Sequence, residues 1–129
     1  MRFLALEEVL ALHAEQIRRF GGAPGLRDPA LLASALAMPR ATFGGEPLHA
    51  TPWEAAAAYL FHLARNHPFV DGNKRAAFLA TGLCLALNGW RLTASQADAT
   101  VAVMTLAAGE LEESAFAAWL RSHIAPRSR

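Results

Sequence analysis

The chain is poor in most features that would announce a partner or a compartment. Its 129 residues carry 12 lysine and arginine against 11 aspartate and glutamate, a formal net charge of +1. No broad field therefore draws it to nucleic acid or to an anionic membrane surface. The single cysteine, Cys84, leaves no internal disulfide to form, and in its apolar surroundings it reads as a buried inert thiol. No apolar run reaches the roughly 20 residues that a membrane-spanning helix needs. The N-terminus lacks a basic region followed by an apolar signal core, so a cytoplasmic protein is expected. No HxxxH or paired Cys/His spacing suggests zinc. His13 and His62 sit among apolar neighbours in expected helices and read as core or rim residues. Internal repeats, low-complexity tracts and linkers are missing as well. A single domain over residues 1–129 is expected, long enough to bury one core, with a frayed tail at about 125–129.

What is present is apolar and helical in period. A hydrophobic fraction of 53% with 18% charged residues implies a compact, heavily buried fold. Leu6 to Phe20 predicts an amphipathic helix with Leu6, Val9, Leu10, His13 and Ile17 inward, ended by Gly21-Gly22. Asp28-Pro29 opens a second helix, with Leu31, Leu32, Ala35 and Leu36 on its apolar side and Met38-Pro39 at its close. Residues 40–51 lack helical period and carry Gly-Gly and a proline. They read as a surface loop with a short hairpin, either a plain connector or a flap for an extended partner segment. Thr51-Pro52 repeats the cap-then-proline start, and Ala55 to Asn66 gives a third helix with Tyr59, Leu60, Leu63 and Ala64 inward. A fourth helix is expected over Asn73 to Asn88, ended by Gly89. A fifth runs from Ser95 to Gly109, and a sixth from Glu112 or Glu113 to about His123 with Phe116, Trp119 and Leu120 inward. Trp53, Trp90 and Trp119 read as core or rim anchors.

The chemistry concentrates in His67-Pro68-Phe69-Val70-Asp71-Gly72-Asn73-Lys74-Arg75. Ala76 to Leu87, which follows, bears no charged side chain and predicts a central helix enclosed all round. The first turn of that helix has free N–H groups and partial positive charge, a natural seat for phosphate. Lys74 and Arg75 add full charge there, and Gly72 lets backbone approach an anion closely. Asp71 is the acid of the stretch. One carboxylate beside a phosphate site is the usual protein share of a Mg²⁺ shell, with an N-cap for the fourth helix as the rival role. Asn73 and the backbone from Gly72 read as a phosphate cradle or as an ordinary tight turn. His67 can take a proton from an attacking hydroxyl.

These nine residues resemble the signature of the Fic/Doc superfamily, HxFx(D/E)GNxR. Within it the chain is similar to the death-on-curing toxins, because lysine replaces the second glycine of Gly-Asn-Gly-Arg. Leu6-Glu7-Glu8-Val9-Leu10, Phe20-Gly21-Gly22 with Gly25-Leu26-Arg27-Asp28, Ala41-Thr42-Phe43-Gly44-Gly45, Leu87-Asn88-Gly89-Trp90-Arg91-Leu92 and Ala118-Trp119-Leu120 extend the likeness over almost the whole length. The resemblance implies an all-α, Fic/Doc-like bundle of about six helices. It also implies transfer of part of a nucleoside triphosphate to a protein hydroxyl. Most members move AMP and use a second arginine three residues after the first; Phe78 stands there instead. Death-on-curing toxins share that absence and move the γ-phosphate of ATP onto a threonine of elongation factor Tu, arresting translation. Alanine stands in the best-known phosphorylating member where this chain has Gly72. By this likeness His67 is the general base, Asp71 binds Mg²⁺, and Gly72, Asn73, Lys74 and Arg75 hold phosphate. A small antitoxin whose disordered end folds on binding is the implied restraint. The alternatives are an AMP transferase with the same site and a silent module that binds nucleotide or peptide.

Overall fold

Six helices form where the sequence supplies apolar faces, three of them opened by a side-chain cap. The structure, a computed structural model, describes residues 1–128. The helices are α1 (Leu6–Phe20), α2 (Pro29–Ala37), α3 (Pro52–Asn66), α4 (Asn73–Leu87), α5 (Gln96–Ala107) and α6 (Glu113–Arg121). The expected caps are made: the Asp28 carboxylate accepts the N–H groups of Ala30 and Leu31, and Thr51 accepts that of Glu54. Ser95 likewise accepts the Asp98 N–H at the start of α5. Each cap satisfies first-turn donors and contributes about 1 kcal/mol. A single 3-10 turn, Met38–Arg40, closes α2.

The helix enclosed on every side is α3, which corrects the expectation for the helix after the motif. Ala55, Ala56, Ala57, Ala58, Tyr59 and Leu60 are all fully buried. Short alanine side chains let neighbouring backbones close in from all directions, which bulkier residues would prevent. α4 packs against α3 through Ala76, Ala77, Ala80, Thr81, Cys84 and Leu85, with the Thr81 hydroxyl donating to the carbonyls of Ala77 and Ala56. Its opposite side is open, with Lys74, Arg75 and Gly82 exposed and Phe78 and Leu79 half-buried. Lack of charge in α4 thus reflects an apolar cavity wall as well as a core face. Burial pushes the Cys84 thiol up to about 12, in keeping with an inert side chain. On α1 the buried stripe is Val9 and His13, while Leu6 is 45% exposed and lies outside it. No helix among the described residues is long and apolar enough to cross a membrane.

Two strand pairs complete the fold. β1 (Thr42–Phe43) and β2 (Glu46–Pro47) form the hairpin expected within 40–51. The second pair was not expected: β3 (Trp90–Leu92) runs antiparallel to β4 (Ile124–Pro126), with Arg91 opposite Ala125. It places Ala125 and Pro126 in a ladder, where fraying was expected. Arg127 continues the attachment, its N–H donating to the Gly89 carbonyl at 2.8 Å and its guanidinium to the Ala86 carbonyl at 3.3 Å. Of that tail, Arg129 lies outside the described residues.

One polar cluster joins the foot of the β1–β2 hairpin to the bundle. Glu113, at the start of α6, lies 3.1 Å from His62 Nε2 on α3 and 3.7 Å from His49 Nδ1. The bond from His62 holds the Glu113 carboxyl below its ordinary value of 4.5, against the opposing effect of burial. A depressed folded value contributes stability that is present above about 4.5 and disappears as pH falls through the folded value. Urea midpoints measured from neutral pH down through that range should therefore fall more steeply for the wild type than for Glu113→Gln. Parallel curves would remove the assigned role.

Candidate active site

The loop His67–Gly72 lacks regular structure, and its shape is imposed from two sides. Pro68 pushes the residue before it out of helical dihedrals. His67, the C-cap of α3, sits at φ 48° and ψ 55°, the one non-glycine residue with positive φ among the described residues. Such a conformation costs on the order of 1 kcal/mol and needs support. The turn between α1 and α2 supplies it from outside. The Pro68 carbonyl accepts the N–H groups of Arg27 at 2.7 Å and Asp28 at 3.0 Å, and the Val70 N–H donates to the Gly25 carbonyl at 3.1 Å. Leu26 and Phe69 pair as an isolated antiparallel bridge. The Arg27 guanidinium then donates from Nε to the His67 carbonyl (2.7 Å) and from Nη2 to the Asn66 carbonyl (2.9 Å). A cation on the last carbonyls of α3 is also favoured by the helix dipole. The Asn66 side chain, adjacent to the motif, turns away and donates to the Leu31 carbonyl on α2.

From inside, Asn73 pinches the loop closed. Its Oδ1 accepts the Phe69 N–H at 2.9 Å, its Nδ2 donates to the Phe69 carbonyl at 3.0 Å, and Nδ2 lies 3.5 Å from His67 Nδ1. The Asn73 side chain is buried and committed to the loop. Gly72, at φ 75°, is the N-cap of α4 and provides no capping side chain to the first-turn N–H groups. Those donors and the dipole make this end of α4 receptive to an anion. A Cβ at position 72 would meet Ile17 at 3.4 Å and His13 at 3.7 Å, so alanine has room there and only the positive φ resists it.

Asp71 does not cap α4, which corrects one of its two expected roles. Its Oδ1 accepts the Gly72 N–H at 2.8 Å, and its Oδ2 accepts the Ala23 N–H at 3.2 Å across the loop. The residue stands one position too early to reach the first-turn donors, so its carboxylate turns to the α1–α2 turn instead. Gly22 makes that approach possible, since a Cβ there would lie 2.7 Å from Asp71 Oδ2. Among the described residues no group of three His, Cys, Asp or Glu could hold a metal ion unaided. A single exposed carboxylate suits an ion that arrives with phosphate oxygens and water as its remaining ligands.

His67, Asp71, Gly72, Asn73, Lys74 and Arg75 all line one cavity of about 820 Å³. α1 contributes Ile17 and Phe20, α4 adds Phe78 and Leu79, and α5 closes it with Val103 and Met104. Asp71 is the sole carboxylate of the lining, and neither Lys74 nor Arg75 is paired with an acid among the described residues. The Arg75 guanidinium rests over the Phe20 ring, 4.6 Å from its centroid. The site is therefore a positively charged mouth over an apolar floor. No residue of the β1–β2 hairpin lines it. Sequence reasoning missed the parts played by Arg27, Ala23 and His13. The three glycines crowded before Asp28 were the one available sign that backbone approaches another group there.

A family model described as Fic/DOC family matches residues 3–85, the stretch from before α1 to near the end of α4. A protein named Toxin Doc from Mycolicibacterium smegmatis is 48% identical over 75 residues, which cover 58% of this chain and 58% of that protein. A protein named Protein kinase doc from Escherichia phage P1 is 37% identical over 123 residues, 94% of each chain.

The contact at Gly22 is directly testable. Gly21→Ala pays only for positive φ, because a Cβ there meets nothing within 4 Å. Gly22→Ala must in addition displace the Asp71 carboxylate, 2.7 Å from the new Cβ, and shift the end of the Ile17 side chain, 3.1 Å from it. In urea unfolding the second variant should be less stable than the first by about 1 kcal/mol. Equal losses would show that Asp71 is not held against this turn.

Proposed function

The chain belongs to the Fic/DOC family, and we propose that it is the toxin of a toxin–antitoxin pair that moves the γ-phosphate of ATP to a protein hydroxyl, with a threonine of elongation factor Tu as the expected acceptor. The observation that carries phosphate transfer over AMP transfer is Phe78. It lines the cavity three residues after Arg75, where an adenylyl-transferring site uses a second arginine. An apolar ring offers nothing to a second phosphate group, so a single cationic cluster, Lys74 with Arg75 and the first turn of α4, is left to hold the reacting end of the nucleotide. The phage relative bears the name Protein kinase doc, which supports the same choice.

In this reading the γ-phosphate sits against the backbone N–H groups at the start of α4, with Lys74 and Arg75 offsetting the charge that spreads over its oxygens. Asp71 would hold Mg²⁺ together with the nucleotide, and the ion would neutralise phosphate charge. His67, exposed at the mouth, takes the proton of the acceptor hydroxyl as its oxygen bonds to phosphorus. The bond from that phosphorus to the bridging oxygen breaks, and ADP leaves with the electron pair. Arg27, on the His67 carbonyl, and Asn73, on the Phe69 backbone and beside the His67 ring, keep His67 where this transfer is possible. The exposed hairpin, with Phe43 81% exposed, offers an edge and an anchor for an extended segment of the target. The apolar wall of Phe20, Phe78 and Met104 suits a helix formed by the disordered end of an antitoxin.

AMP transfer is the second reading, favoured by glycine at position 72 rather than alanine. Incubating the purified chain with elongation factor Tu and ATP labelled at the α or the γ position separates the two. Label from the γ position on the target is expected, reduced about 10²- to 10⁴-fold in His67→Ala. Label from the α position would replace phosphotransfer by AMP transfer, and no transfer of either would overturn both.

A further inference from the structure

We propose that His13 is a positioning residue for Asp71, acting through the Asp71–Gly72 peptide; this rests on the reading above for its catalytic consequence. His13 lies on α1 and is only 4% exposed. Its ring stacks on Phe69 with centroids 3.8 Å apart and planes 6° from parallel, so its orientation is fixed. Its Nε2 lies 2.7 Å from the Asp71 backbone oxygen, 58 residues away in the chain. A peptide carbonyl can only accept, so Nε2 carries a hydrogen and donates it.

That bond sets the orientation of one peptide plane. On the other side of the same plane the Gly72 N–H points to Asp71 Oδ1. Rotating the plane would release both bonds at once, leaving the carboxylate with the Ala23 N–H alone. Gly72, at φ 75°, carries no side chain that would resist such a rotation. His13 therefore supplies the restraint that the glycine cannot, from a helix that contributes no catalytic group. The neutral core role that its apolar neighbours suggest explains the stacking on Phe69 but not the short bond to a loop carbonyl.

Two variants separate donor from ring. His13→Phe keeps an aromatic ring on Phe69 and loses the donor; His13→Gln restores an N–H donor and loses the ring. Amide hydrogen exchange, read by NMR on the full chain without nucleotide, should show the Gly72 N–H exchanging about tenfold faster in His13→Phe and close to wild type in His13→Gln. In the transfer assay the half-saturating Mg²⁺ concentration should rise about tenfold in His13→Phe, with the KM for ATP at saturating Mg²⁺ little changed, and return towards wild type in His13→Gln. A purely packing role predicts the reverse order, with His13→Phe harmless and His13→Gln damaging, and that result overturns the proposal. If the wild type transfers no phosphate, the functional reading fails, while the exchange rate at Gly72 still decides the role of His13.

Discussion

The rest of the structure depends on the hydrogen bonds between the α1–α2 turn and the loop that follows α3. The loop carries a histidine in left-handed conformation, a proline and a glycine, and no element of secondary structure stabilises it from within. Its backbone is instead satisfied by a second irregular segment, through Pro68 to Arg27 and Asp28 and through Val70 to Gly25. Two irregular segments thereby form a small substitute for a sheet. Because the bonds are largely main chain to main chain, most side chains around them are free to vary. The exceptions include Gly22, where the Asp71 carboxylate needs the space, Arg27, whose guanidinium holds the carbonyls at the end of α3, and Asn73 and His13, whose side chains bond the loop backbone.

From this constraint follows a division of labour within nine residues. Phe69 and Asn73 face inward and hold the shape; His67, Asp71, Lys74 and Arg75 are exposed, the Asp71 carboxylate held by the Gly72 and Ala23 N–H groups and the two cations without an acidic partner among the described residues. An acid paired with Lys74 or Arg75 would quench the site, and none among the described residues is placed to do so. The alanines of α3 contribute at a distance. By allowing α4 to approach closely they bring its first turn to the rim of the bundle, where an anion can reach the N–H groups without crossing the core. Phe20 then gives Arg75 a surface to rest on that cannot neutralise it.

Local chemistry was legible in the sequence and long-range pairing was not. Asp28-Pro29, Thr51-Pro52 and Ser95 announced their helices because a cap and its donors lie within three residues of each other. The six candidate site residues could be grouped because nine positions span them all. The β3–β4 pair escaped notice because three residues per strand show no period. The mistaken choice of α4 over α3 as the enclosed helix has a related origin: a cavity wall and a core face are both apolar. The bonds from His13 and Arg27 to the loop join positions 58 and 40 residues apart, and nothing in either local sequence marks them.

The central claim is that this loop and the first turn of α4 receive the phosphates of a nucleotide. Lys74 is the sole lysine of the chain, so an amine-acylating reagent has one internal target besides the N-terminus. Acylation followed by mass spectrometry should show Lys74 modified about tenfold more slowly when ATP and Mg²⁺ are present above their binding constant, with the N-terminal amine unaffected. Equal modification of Lys74 with and without nucleotide would contradict the account.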